Sequence, residues 1–126
     1  MAAGRYSFTI EQGSTLNLEL QYKDSSGNPI NLTSYSGKMQ IRPSVASSTV
    51  YITLSSSLAA DGTGLNFSGS NGTTPPTSGS IAIYVSSASS SLLTFDTGVY
   101  DLEITSGSIV TRILEGQVKL SKEVTQ

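Results

Sequence analysis

Apolar residues recur at every second position over most of this chain, the period of strands that bury one face. Thr15–Lys23 shows it most cleanly: Leu16, Leu18, Leu20 and Tyr22 point one way, Asn17, Glu19 and Gln21 the other. Burying those four side chains would contribute on the order of 6–10 kcal/mol before the entropy of ordering them is subtracted. Tyr6–Ile10 predicts an earlier strand with Tyr6, Phe8 and Ile10 on one side, stopped at Gln12-Gly13. Lys38–Arg42 predicts a third, with Met39 and Ile41 inward and Pro43 ending it. Thr49–Leu54 follows with Val50, Ile52 and Leu54 aligned. A short Leu65–Phe67 strand comes next, then Ser80–Val85 with Ile81, Ile83 and Val85 on one face.

The connections carry turn chemistry. In Asp24–Gly37, Asp24 caps its own turn, Gly27 suits positive φ and Pro29 sets the exit, while Ile30 and Leu32 drop into the core. Ser68–Gly79 has no periodicity and two prolines, which predicts an exposed loop. Ser86–Phe95 is the one place for a helical turn, with Leu92, Leu93 and Phe95 as anchors.

Val99–Glu123 reads as two strands folded back about Ser106-Gly107. With that pair as the loop, Ile104 meets Ile109, Leu102 meets Thr111 and Tyr100 meets Ile113, while Asp101 lies across from Arg112. Val118 and Leu120 then have the wrong parity, which predicts a bulge near Glu115-Gly116. Seven or eight short strands, with turn signals about every 8–12 residues, predict one all-β domain over residues 1–126. The expected architecture is an immunoglobulin-like antiparallel β-sandwich with one short helical turn.

Composition narrows the chemistry. The 126 residues are 37% hydrophobic, enough for a single core, but only 13% charged. Serine and threonine fill roughly 30% of positions, so the surface is neutral and rich in hydroxyls. There is no cysteine and no histidine, which removes disulfides, thiolate or imidazole metal sites and histidine acid–base catalysis. No cofactor is expected. Seven basic residues are scattered and the net charge is −2, so nucleic acid is not an expected partner. No apolar run reaches the roughly 18 residues of a membrane-spanning helix, and MAAGRYSFTI lacks a secretion signal. Synthesis in a cytoplasm, with no membrane association, is the expectation.

Few residues invite a chemical role. Asp24, Asn28 and Asp61 could offer oxygen ligands to calcium, yet their spacing is not that of a calcium loop, and turn capping is the better reading. Asp101 and Glu103 share a strand face roughly 7 Å apart, and with Glu115 could be imagined as a glycosidase pair. Arg112 opposite Asp101 would keep it ionised, so a solvent-facing sheet is favoured. Of six tyrosines, Tyr51 and Tyr84 have outward parity and could stack on a sugar or on a neighbouring subunit. Three sequons, at Asn31, Asn66 and Asn71, are expected to be unused.

Two segments carry a family resemblance. FTIEQGSTLNLELQYKDSSGNPINLTSYSGKMQIR is similar to the opening of small immunoglobulin-like structural proteins of tailed bacteriophages. SIAIYVSSASSSLLTFDTGVYDLEITSGSIVTRILEGQVKLSKEVTQ resembles their second half, through Gly-x-Tyr-Asp-Leu-Glu and Val-x-Arg-x-Leu-x-Gly. Val45–Leu65 and Thr73–Ser78 match least. The resemblance implies a virion component of the tail, baseplate or neck, acting by protein–protein packing and with no catalytic residues to transfer. Its partners would be other virion proteins and copies of itself, across outward residues such as Tyr51, Tyr84, Val99 and Leu114. The alternative is a binder of host-surface glycans or receptors, or a capsid decoration module, using the 68–79 loop.

Overall fold

The first strand of the chain is docked on the last. In the computed structural model, which describes residues 4–69 and 75–122, β1 (Gly4–Arg5) and β2 (Phe8–Glu11) both run parallel to β9 (Ile109–Ser121). The remaining strands are β3 (Leu16–Gln21), β4 (Ser36–Arg42), β5 (Ile52–Ser55), β6 (Gly64–Asn66), β7 (Ser80–Val85) and β8 (Thr97–Ser106). One sheet has the order β1-β9-β8-β4-β5 with β2 also on β9, and the other is β3-β7-β6. In immunoglobulin terms β3, β7 and β6 take the places of strands B, E and D. On the facing sheet β4, β8, β9 and β5 take those of C, F, G and C′. The chain is an immunoglobulin-like β-sandwich.

The core follows the period-2 pattern. Ile10, Met39, Ile41, Leu54, Ile81, Ile83, Val85, Leu102, Ile104 and Val118 are all essentially inaccessible. Ser80–Val85 occupies the predicted span, and Leu32 reaches the core from the crossover as expected. β3 is different. It lies at the edge of its sheet, so Leu16, Leu18 and Leu20 are only half-buried and contribute less than full burial would.

Three local expectations are corrected. The hairpin turns at Gly107-Ser108, with Ser106 paired to Ile109, not at Ser106-Gly107. Gly107 has φ +60°, and a two-residue turn of this kind wants its glycine first. The bulge is present, but beside Leu102/Glu103, where Ile113 is the extra residue. Leu114 therefore pairs with Leu102 and faces inward. Leu92 is 79% exposed, because α1 (Ser87–Ser90) is a single turn and only Leu93 and Phe95 point into the core.

Candidate functional site

Tyr84 sits at the middle of the outer face of the β3-β7-β6 sheet, in register with Asn17 on one side and Gly64 on the other. Its half-exposed ring lies over Gly62 in the β5–β6 connection. A shallow depression of about 230 Å³ opens beside it, bounded by Asn17, Leu58, Asp61, Asn66 and Ala82. Gly62 lets the ring lie close against the β5–β6 connection, and Leu58 of that connection packs over Gly64 beside it.

Asp61 anchors that rim. Its Oδ2 accepts hydrogen bonds from Ser86 Oγ at 2.5 Å and Ser89 Oγ at 2.7 Å, and its Oδ1 from Thr63 N–H at 3.0 Å. Thr63 Oγ1 in turn accepts from Ser86 N–H at 3.1 Å. The Ser86 hydroxyl first, then Ser89 and Thr63, hold the Asp61 carboxyl well below the usual carboxylate range. This carboxylate ties the β5–β6 connection to the cap of α1; it is not set out as a calcium ligand. Asp24 likewise caps its own turn, accepting from Ser26 N–H and Asn28 N–H at 2.9 Å each. Among the described residues no group of three acidic, histidine or cysteine side chains is placed to hold a metal.

The other sheet carries a charged outer face. Arg112 Nε lies 3.4 Å from Asp101 Oδ2, the predicted pair, although the residue directly opposite Arg112 is Glu103. Arg112 also reaches Glu115 at 3.8 Å, and Arg5 reaches Glu115 at 3.6 Å. Two of the three acids of the glycosidase reading, Asp101 and Glu115, are thus paired with arginines.

The four expected contact residues separate. Tyr84 keeps its outward position. Val99, between Arg42 and Gln117, is half-buried on the charged face. Tyr51 is not an outward strand residue: it precedes β5, and its ring stacks on Phe95 at 4.4 Å with 5° between planes, sealing the core. Leu114, turned in by the bulge, packs against the core as well. Residues missed by the parity argument are more exposed: Ile109 at 69% and Val110 at 57%, at the tip of the β8–β9 hairpin. Their signal was the turn chemistry of Gly107. Of the 68–79 loop, residues 70–74, with the Asn71 sequon, lie outside the described residues. Pro76–Ser78 forms a single 3₁₀ turn.

Comparison with known protein families finds no match, and comparison with curated proteins finds none. Among solved structures the chain is similar to one described as the crystal structure of chicken TCR for 2.0. The two share 12% identity with a TM-score of 0.49, over 94% of this chain and 54% of that one. The chain spans about half the length of that structure.

Proposed function

We propose that this protein is a non-enzymatic structural component of a tailed-phage virion, a tail, baseplate or neck building block that works by packing against other virion proteins and copies of itself. The observation that carries this reading is the hairpin tip. Ile109 and Val110 are large, mostly exposed and successive in β9, so they give a neighbouring molecule an apolar contact on each face of the hairpin. The sequence resemblance supplies the context, and the arginine-neutralised acids of the charged sheet favour a role without catalysis.

The site of action under this reading is the virion, after synthesis in the host cytoplasm. Mass spectrometry of washed particles, followed by imaging at a resolution that resolves a two-sheet domain, tests it. Recovery of the chain at symmetry-related positions is the expected result. Particles lacking the chain would overturn the proposal. A paired Ile109→Asp, Val110→Asp variant should stay folded but fail to be incorporated.

A further inference from the structure

We propose that the depression beside Tyr84, on the outer face of the β3-β7-β6 sheet, binds a neutral pyranose ring, with Tyr84 as its stacking wall and Asn17 and Asn66 as its polar rim.

The geometry points to this ligand class through the side chains that stand around the depression. Across the row Asn17–Tyr84–Gly64 the aromatic has an amide on one side, and on the other a glycine over which Leu58 packs: a Cβ there would lie 2.9 Å from Leu58 Cδ2. In the next row Glu19–Ala82–Asn66 the central residue is an alanine, buried beneath the depression, so the ligand is held at its rim. Leu58, 44% exposed, adds a second apolar wall. A pyranose has one face of C–H groups and an equatorial belt of hydroxyls. It fits a cup with an apolar wall and a few fixed polar groups at the edge.

The polar groups are of the right kind. Asn66 Oδ1 is already engaged by Ser68 N–H at 2.8 Å, which leaves its NH₂ as a donor. Asn17 is exposed and offers both a donor and an acceptor. Asp61 is held in place by Thr63, Ser86 and Ser89 and is exposed, so it presents a fixed acceptor to a sugar hydroxyl. Its negative charge disfavours acidic sugars, which is why the ligand is specified as neutral.

Titration of the ¹⁵N-labelled chain with the methyl glycosides of glucose, galactose and N-acetylglucosamine, and separately with glucuronic acid, tests the site. At least one neutral glycoside should shift the amides of Asn17, Ala82 and Tyr84, with Kd in the range of about 1–10 mM. Tyr84→Ala should weaken it about tenfold or more, whereas Tyr84→Phe, which keeps the ring, should retain it. Circular dichroism establishes that both variants are folded. No shift at these amides with any neutral glycoside overturns the proposal. So does a shift untouched by Tyr84→Ala, or glucuronic acid binding as well as the neutral sugars.

Discussion

The Tyr100 hydroxyl donates a hydrogen bond to the backbone carbonyl of Tyr6, across the full thickness of sequence between β8 and the N-terminus. In an unbroken parallel ladder that carbonyl would accept Gln117 N–H, because Tyr6 N–H already donates to Glu115 O at 2.9 Å. Gln117 N–H instead finds Ser7 Oγ at 3.2 Å. The break between β1 and β2 is thus an exchange of partners in which each of these groups keeps one. It requires Gly116: a Cβ there would lie 2.0 Å from the Tyr6 oxygen.

Two substitutions probe this junction. Tyr100→Phe removes the donor and should cost about 1 kcal/mol. Gly116→Ala must displace backbone and should cost more, about 1–3 kcal/mol. Urea unfolding gives both values; a neutral Gly116→Ala would contradict the close approach.

Burial, and secondarily the neighbouring Tyr6, pushes the Tyr100 phenol up to about 12. The folded state therefore holds this proton more tightly than the unfolded state, where a tyrosine titrates near about 10. The stability from this group is complete below about pH 10 and is lost as pH rises toward 12. Tyrosinate absorbance should show a step near pH 12 that vanishes in Tyr100→Phe.

Asp61 works in the opposite direction. Its carboxyl is held low in the folded state by Ser86, Ser89 and Thr63, so its contribution is present above the unfolded value of about 3.9. That contribution is lost as pH falls below it. Asp61→Asn should flatten the acid limb of the stability curve below about pH 4 while leaving the alkaline limb alone. An unchanged acid limb would show that the clamp on α1 contributes nothing.

Core truncations should rank by position in the sheet. Leu102, in the middle of β8 and fully buried, should lose about 2–5 kcal/mol on Leu102→Ala. Leu18 lies on the half-buried edge strand, and Leu18→Ala should lose about half as much. Equal losses in the same denaturant titration would place β3 in the interior.

Asp101→Asn should cost under about 1 kcal/mol, since its partner Arg112 is half-exposed and screened by water. A double-mutant cycle with Arg112→Ala measures the pair directly. A coupling energy above about 2 kcal/mol would mean that this face is covered in solution.

Alternation of apolar and polar residues was enough to place β7, most of β3 and β4, and the inward leucines and isoleucines, because side-chain period and strand geometry are the same fact. It also required a bulge in β9, since Val118 and Leu120 could not otherwise share a face with Leu102. It could not say where the bulge falls. A slip of one residue at Gly107 moves every later pair, and only the packing of Leu114 against the core selects Ile113 as the extra residue. Tyr51 shows the same limit: outward by parity, it is drawn inward by Phe95, a residue 44 positions away.

By itself the sequence determined that this is a histidine- and cysteine-free chain of short amphipathic strands closing on one core, because periodicity and composition are local properties. The tertiary structure alone decided that the N-terminal segment pairs with β9, that Tyr100 replaces a ladder bond at Tyr6, and that Tyr84 stands beside Asn17, Asp61 and Asn66. Those relationships join residues far apart in sequence, and the energy that selects them comes from contacts that exist only once both sheets are packed.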